Sequence, residues 1–155
     1  MIRPYRASDR AATALVRYRA IRDGAAAHYS AAERAAWAPS PDHDPDKPDT
    51  LLAQWSYVAE DTTQITGFRA MNPSGYLDKA YVLPEVMVLP EVIGNGTAAA
   101  LYDTLLARAR TAGLTRLTVR ATPQSRRFLA RRDWQVDQLN ALPQMAKATT
   151  CSTCP

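Results

Sequence analysis

Two stretches of the chain, 55–60 and 65–71, alternate between apolar and polar residues, and the polar segment Asp61-Thr-Thr-Gln64 separates them. Successive side chains of a strand point to opposite faces of a sheet, so this pattern predicts two strands joined as an antiparallel hairpin. The turn residues Asn72-Pro-Ser-Gly75 then lead into a further strand, predicted over 76–88.

Four helices are predicted from the spacing of apolar residues and from capping residues. A short strand at 2–5 precedes the first helix, which Ser8 and Asp9 can cap. The capping box Ser30-Ala-Ala-Glu33 opens a second, short helix. The third covers 96–112 and ends at Gly113, and the fourth covers 123–132.

Strands predicted at 114–120 and 134–139 flank the fourth helix, so the order of elements indicates an α/β (α+β) domain. The segment 39–49 is rich in proline and aspartate and is predicted to be a surface loop. Residues 143–155 lack the pattern of a further strand. The sequence therefore predicts one domain over 1–142, with the final strand missing, and a disordered tail over 143–155.

A short internal repeat complicates the strand predicted at 76–88, because VLPEVM (82–87) is followed at once by VLPEVI (88–93). Six residues is an even number, so the alternation of side chains survives the repeat. Pro84 and Pro90 nevertheless exclude one continuous central strand through both copies. The sequence leaves open which copy continues the strand.

Composition narrows the class of protein. The chain has 155 residues, of which 46% are hydrophobic and 22% charged, which is enough for one folded core. Its net charge of +4 is scattered rather than clustered, so we expect no nucleic-acid partner. The start of the chain is charged and no run of about 18 apolar residues occurs, which favours a cytoplasmic protein without a membrane partner. Cys151 and Cys154, alone near the end, predict neither a core disulfide nor a metal site.

The segment PEVIGNGTAAALY (90–102) has small residues between an apolar run and a helix. Backbone N–H groups and the positive end of a helix dipole meet at such a corner, which suits an anion. A Walker-type loop is excluded because no Lys follows Gly96. A dinucleotide fingerprint matches 94–99, but Arg120 stands where a ribose-binding acid is expected, and the antiparallel strands do not fit a doubly wound sheet.

A third kind of glycine loop fits more of the chain. The run from Val88 to Ala98, VLPEVIGNGTA, resembles the Q/R-x-x-G-x-G/A signature of the GNAT superfamily of acyl-CoA-dependent N-acetyltransferases, with Gly96 and Ala98 at the two small positions. The segments IRPYRASD, HYSAAERAAWAP and LTVRATPQSRRFLARRDW also look like a small bacterial subgroup. Several positions depart from the pattern. Ile93 replaces the polar Gln/Arg, Asn95 replaces a residue that is often basic, and Asp133 and Trp134 replace Gly-Phe. Leu129 stands where many relatives carry a thiolate-protonating Tyr.

The resemblance implies a mixed, mostly antiparallel sheet that is splayed at its central strand and flanked by helices. Acetyl-CoA, as co-substrate, would lie in the splay with its pyrophosphate on backbone amides, and no metal is implied. The residues implied in binding the cofactor are Val86, Met87, Val88, Ile93, Gly94, Asn95, Gly96, Thr97, Ala98 and Arg126.

Direct acyl transfer needs a base to deprotonate an ammonium group and an acid to protonate the leaving thiolate. Glu85 and Asp78 are candidates for the base, acting through water, depending on which repeat copy continues the strand; either can also be an ordinary exposed carboxylate. Tyr102 is a candidate for the acid, although its spacing from Leu105 also suits packing.

The sequence therefore favours an N-acetyltransferase that acts on a primary amine of a small molecule by direct transfer, and it leaves a homodimer open. The alternative from another class is a CoA-binding or protein-interaction module that kept the fold and lost the chemistry. A dinucleotide-binding reductase fragment is the third reading.

Overall fold

The computed structural model describes residues 1–86, 96–138 and 144–148, which form two antiparallel β-sheets. The first sheet contains, in chain order, β1 (Ile2–Pro4), β2 (Trp55–Glu60), β3 (Ile65–Met71) and β4 (Leu77–Val82). The second has the order β5-β7-β6 and consists of β5 (Arg116–Arg120), β6 (Gln135–Gln138) and β7 (Gln144–Ala148).

The described residues also contain four α-helices: α1 (Arg10–Arg22), α2 (Ala31–Trp37), α3 (Thr97–Thr111) and α4 (Pro123–Ala130). None of these helices is long and apolar enough to cross a membrane. The predicted capping box is confirmed, because Glu33 N donates to Ser30 Oγ at 3.1 Å and Ser30 N donates to Glu33 Oε1 at 3.0 Å. Gly113 follows α3 with φ of 77°, a conformation that glycine adopts without strain.

The hairpin of β2 and β3 has the predicted bounds and the predicted antiparallel pairing. Its turn is closed by Asp61, whose Oδ1 accepts hydrogen bonds from the backbone N–H groups of Thr63 and Gln64 at 2.7 and 2.9 Å. Both strands are largely buried, so the alternation fixes which side chains meet each layer of helices.

The prediction that the final strand is missing is wrong. Gln144–Ala148 forms β7, which lies between β5 and β6 and pairs with both. A strand with partners on both edges has its backbone groups satisfied by the ladder, so it needs little apolar patterning of its own. The domain therefore extends beyond residue 142, the end predicted from the sequence, and 149–155 lie outside the described residues.

The strand predicted over 76–88 is shorter than expected. β4 ends at Val82, and Pro84–Val86 form one 3-10 turn in which Val86 N donates to Leu83 O at 3.1 Å. Pro84 has no N–H to continue the ladder, so the strand ends within the first copy of the repeat. The whole second copy, 88–93, falls outside the described residues.

Helices cover both faces of the first sheet. α3 and α4 pack against one face in a core that includes Met71, Leu105, Leu117, Leu129 and Trp134. α1 packs against the opposite face through Val16, where the core includes Val58, Phe68 and Leu83. Burial of these side chains supplies the main driving force for the fold.

In the described residues, backbone pairing joins the two sheets at one end of β4. Tyr76, just before β4, forms a single parallel bridge with Thr118 of β5, and Thr118 N donates to Gly75 O at 3.0 Å. Gly75 has φ of 98°, and a Cβ there would lie 2.7 Å from Arg116 O, so only glycine permits this close approach. Beyond the bridge no pairing joins β4 to β5 in the described residues, which confirms the predicted splay.

Candidate active site

The edge of β4 that faces β5 is open, and we call the gap between these two strands the cleft. Leu83 N donates to Thr66 O on β3 at 2.8 Å, so the backbone groups of alternate residues, Ala80 and Val82, point away from β3 toward the cleft. The Ala80 side chain is exposed although Ala80 lies in the middle of β4. The cleft therefore offers backbone donors and acceptors that an extended ligand can pair with, as a further strand would.

The N-terminus of α3 lies beside the end of β4. At Gly67, between them, an added Cβ would lie 2.7 Å from Val82 Cγ1 and 3.3 Å from Leu101 Cδ1. The absence of a side chain on Gly67 thus lets the first turns of α3 approach the strand end. An anion bound at the start of α3 would be next to the open edge of β4.

The cap of α3 leaves its first amides open. Ser30 and Thr122 cap α2 and α4 with side-chain oxygens, whereas the cap of α3 is Gly96, which has no side chain to accept a hydrogen bond. The first bond of the helix is Ala100 N to Gly96 O at 3.0 Å, so the amides of Thr97 to Ala99 have no partner within the helix. Such amides and the helix dipole favour an anion.

The structure describes only part of the predicted cofactor segment. Gly96, Thr97 and Ala98 form the start of α3, and Arg126 is exposed in the first half of α4. Val86 lies in the 3-10 turn after β4, so it is not in the extended conformation expected for it. The predictions for Met87, Val88, Ile93, Gly94 and Asn95 lie outside the described residues.

Glu85, the first candidate for the base, is held at the surface. Both of its carboxylate oxygens accept hydrogen bonds from Arg19 of α1, at 2.9 and 3.0 Å. Its own backbone N–H and the Arg19 guanidinium hold the pKa of Glu85 below its ordinary value. A carboxylate in this state is a weaker base, and it faces α1 rather than the start of α3.

Asp78, the second candidate, lies near the closed end of the cleft. Its Oδ2 accepts hydrogen bonds from Gln54 Nε2 and Lys79 Nζ, both at 2.9 Å. Partial burial raises the pKa of Asp78, but these two bonds outweigh it, and the pKa lies below its ordinary value. Gln54 also lines a cavity of about 210 Å³ with Trp55 and Tyr57, and its Oε1 is buried without a hydrogen-bond donor.

Tyr102, the candidate acid, is buried in the core on the α3 side. Its hydroxyl oxygen accepts a hydrogen bond from Trp134 Nε1 at 3.0 Å, and no described residue accepts its own hydrogen. Burial raises the pKa of Tyr102 above its ordinary value, so it stays protonated at neutral pH. It shares no contact with Asp78 or Glu85, so the three candidates do not form one cluster.

Arg69 was not predicted as a site residue, and its environment is unusual. It is 6% exposed, its Nη1 is buried without a partner, and no hydrogen bond or ion pair joins it to another described residue. Its guanidinium carbon lies 5.5 Å from the ring centre of Tyr102 and 5.1 Å from that of Phe128. Arg69 is the single charged residue of the strand ITGFRAM, and this is the sequence signal that points to it.

A second arginine, Arg132, lies against the same two rings. Its guanidinium carbon is 3.9 Å from the ring centre of Phe128 and 5.3 Å from that of Tyr102. Burial lowers the pKa of Arg69, Tyr102 opposes this decrease and the charge of Arg132 adds to it, which gives a pKa of about 10. Arg69 is therefore a cation at neutral pH. Leu129, next to Phe128, is fully buried in the core.

Comparisons with solved structures agree with this architecture. A GCN5-related N-acetyltransferase from Rhodopseudomonas palustris is 26% identical, with a TM-score of 0.81 over 96% of this chain and 94% of that chain. The PaiA N-acetyltransferase from Thermoplasma acidophilum, solved with coenzyme A, is 14% identical, with a TM-score of 0.72 over 96% and 98% of the two chains. A GNAT family acetyltransferase from Brucella melitensis, solved with acetyl-CoA, is 21% identical, with a TM-score of 0.59 over 96% and 86%.

Sequence comparison gives the family. No curated protein sequence matches the chain significantly. A sequence profile of the acetyltransferase (GNAT) family matches residues 29–134, which is well over half of the chain. Together with the splayed sheet and the uncapped start of α3, this match means that the chain belongs to the acetyltransferase (GNAT) family.

Proposed function

We propose that the protein transfers the acetyl group of acetyl-CoA directly to a primary amine of a small molecule. The observation that carries the proposal is the juxtaposition of the open edge of β4 with the uncapped N-terminus of α3. A fold relative from Brucella melitensis was solved with acetyl-CoA and one from Thermoplasma acidophilum with coenzyme A. The cleft has the chemistry that such a ligand requires.

In this proposal the amides of the pantetheine arm pair with Ala80 and Val82, because these residues direct their backbone groups into the cleft. The pyrophosphate binds at the amides of Thr97 and Ala98, where Gly96 leaves room for its oxygens. Ile93, Gly94 and Asn95 precede this helix and would complete the loop. Arg126, exposed on α4, is the candidate for the 3′-phosphate.

The acceptor side of the proposal rests on Asp78. Its carboxylate and the unpaired Gln54 Oε1 both accept hydrogen bonds, so together they can bind an ammonium group. The Asp78 carboxylate can then take up its proton, directly or through water. Glu85 is the second candidate for this role, but its bidentate bond to Arg19 must first break. The tetrahedral intermediate then loses the CoA sulfur, to which the Tyr102 hydroxyl can donate.

The alternative function is a CoA-binding module without turnover. One observation favours this alternative. The buried Leu129 cannot donate a proton at the position where the family resemblance places a tyrosine. Both functions require CoA to bind in the cleft, so binding does not separate them. Only turnover does.

The test has two stages. CoA should raise the thermal unfolding midpoint, whereas NADP should not, since a ligand that binds only the folded state stabilises it by RT ln(1 + [L]/Kd). Acetyl-CoA should then be consumed with release of free thiol when amino acids, polyamines or aminoglycosides are supplied, and not without an amine. CoA binding without turnover on any amine would favour the binding module, and no stabilisation by CoA would contradict both functions.

A further inference from the structure

Arg69 is a buried cation without a counter-ion among the described residues. A guanidinium loses its hydration on burial, and native proteins normally compensate for this with a carboxylate or with hydrogen bonds to every donor. Here the aromatic rings of Tyr102 and Phe128 give only the partial compensation of cation–π contacts. Within the described part of the chain, Nη1 still has no acceptor. These residues therefore leave the cation without an anion.

The charged and titratable groups around Arg69 do not supply one. They are Tyr57 on β2, directly opposite in the register, Tyr102 on α3, and Arg132 after α4. Asp78 lies two residues from Ala80 on β4, but its carboxylate is bonded to Gln54 and Lys79 instead. None of the described groups that contact Arg69 is a carboxylate.

Topology places this unpaired cation beside the cleft. Arg69 lies on β3 directly opposite Ala80, whose short, exposed side chain sits at the open edge of β4. The guanidinium contacts Tyr102, from the helix that follows β4, and Phe128, from the helix that follows β5. It therefore lies where the elements on the two sides of the cleft come together.

We propose that Arg69 forms an anion subsite for the thiolate of CoA, the leaving group of acetyl transfer. This inference rests on the proposed function and deepens it. When the tetrahedral intermediate collapses, the carbon–sulfur bond breaks and its electron pair leaves on sulfur, while the new carbon–nitrogen bond remains. The amine proton passes to the base and then to solvent. The guanidinium stabilises the negative sulfur, which then takes a proton from water or from the Tyr102 hydroxyl. In the second case Tyr102 regains its proton from solvent before the next turnover.

The subsite also accounts for Leu129. An enzyme without a tyrosine next to Phe128 can still lower the barrier if a fixed positive charge lies near the sulfur, because electrostatic stabilisation in a site of low dielectric is strong. Arg69 is already in place before the cofactor binds, so little reorganisation is needed at the moment of reaction.

The direct test is the acidity of the CoA thiol when it is bound to the protein. Ultraviolet absorbance of the thiolate, followed against pH in the complex with CoA, should give a thiol pKa at least about one pH unit below that of free CoA, since a nearby opposite charge shifts a pKa by about 1 to 3. Arg69→Met should return the thiol pKa to that of free CoA, and Arg69→Lys should keep part of the decrease. Arg110→Met, at the far end of α3, is the matched control and should leave it unchanged.

Turnover and stability supply two further readouts. Arg69→Met should lower turnover about tenfold or more, in line with a thiolate less stable by one pKa unit or more. Without CoA the same variant should unfold at the wild-type temperature or above, because it replaces an unpaired buried charge with an apolar side chain. If Arg69 were needed for the fold, Arg69→Met would instead be less stable than wild type. In that case Arg69→Lys, which keeps the positive charge, is the variant to measure in a folded protein.

The outcomes separate the proposals. Failure of CoA to bind the wild-type protein would overturn the proposed function itself. Binding and turnover with the same bound-thiol pKa in wild type and Arg69→Met would overturn only the thiolate subsite. An Arg69→Met variant that raises KM for carboxylate-bearing amines alone, without changing the thiol pKa, would overturn it in favour of an acceptor carboxylate at Arg69.

Discussion

Two arginines of the first sheet, the half-buried Arg3 and the buried Arg69, have opposite surroundings. Arg3 on β1 binds Asp9 through Nη1 and Nη2 at 2.8 and 2.9 Å, and it binds Glu60 through Nε and Nη2 at 3.0 Å. We call this cluster of Arg3, Asp9 and Glu60 the ion-pair corner. Arg69 on β3 has no such partner and lies against aromatic rings beside the cleft.

The difference shows how one residue type serves two purposes. In the ion-pair corner, Arg3 forms ion pairs with both Asp9 and Glu60. The cluster thereby joins β1, the start of α1 and the end of β2. Beside the cleft, Arg69 has no counter-ion among the residues that the structure describes, and an anionic ligand would offset the cost in stability. Substitutions in the corner should therefore change stability and not activity, and substitutions around the cleft should do the reverse.

The largest effect is expected at the start of α3. Gly96→Glu places a carboxylate where the pyrophosphate is proposed to bind, so it should abolish the rise in unfolding temperature that CoA causes, while the apo protein still folds. The matched control is Ala100→Glu, which adds the same charge at an exposed position one turn further along. Equal CoA affinity in wild type and Gly96→Glu would remove this helix start from the site.

The next effect is expected at the proposed base. Asp78→Asn should lower turnover about 100-fold, the lower end of the contribution typical of a general base, and leave CoA binding unchanged. Asp103→Asn, on the exposed face of α3, is the control. Full turnover in Asp78→Asn together with loss in Glu85→Gln would move the role of base to Glu85.

Tyr102→Phe keeps the ring that contacts Arg69 and removes the hydroxyl. We expect turnover about tenfold lower and the free energy of unfolding lower by about 1 kcal/mol, since Trp134 Nε1 loses its acceptor. The control is Tyr81→Phe, on the α1 face of the sheet. Steady-state kinetics and urea unfolding measure the two effects. Unchanged turnover would leave Tyr102 with a structural role only.

The ion-pair corner should respond in the opposite way. Asp9→Asn should lower the free energy of unfolding by about 1 to 3 kcal/mol, because the Arg3 guanidinium keeps its partial burial and loses a charged acceptor. Turnover at a temperature where the variant is folded should equal that of wild type. A loss of turnover greater than the loss of folded protein would contradict the expectation that the ion-pair corner affects stability and not activity.

The smallest effect concerns pH. The hydrogen bond from Arg3 holds the pKa of Asp9 below its ordinary value, and it does the same for Glu60. A carboxyl group whose pKa is lower in the folded state contributes stability above its unfolded pKa, about 4, and loses it as the pH falls through the folded pKa. Wild type should lose stability below about pH 4 more steeply than Asp9→Asn, as measured by thermal unfolding.

Local patterns in the sequence were sufficient for much of the fold. The β2–β3 hairpin was predicted to the residue because alternation and the Asp61 turn act over short distances. β7 was missed because Gln144–Ala148 depends on two neighbouring strands rather than on its own pattern. The end of β4 was predicted too late because the alternation of apolar and polar residues continues past Pro84, whereas the strand itself ends at Val82.

The site was less predictable for a related reason. Gly96 and Thr97 are visible in the sequence because glycine before a helix has a direct physical meaning. Arg69 stands out because no described residue provides an acceptor for its Nη1. The local sequence cannot show this, since the neighbours of Nη1 come from distant parts of the chain. The link between Asp78 and Gln54 likewise joins residues 24 positions apart.

The central claim, that CoA occupies the cleft by extending the first sheet, is tested most directly by amide hydrogen exchange with and without CoA. CoA should slow exchange at Ala80 and Val82, whose N–H groups point into the cleft, and at Thr97 and Ala98 at the start of α3. Lys79 and Tyr81, which point toward β3, should be unchanged and serve as internal controls. Protection elsewhere, with these four amides unaffected, would contradict the account.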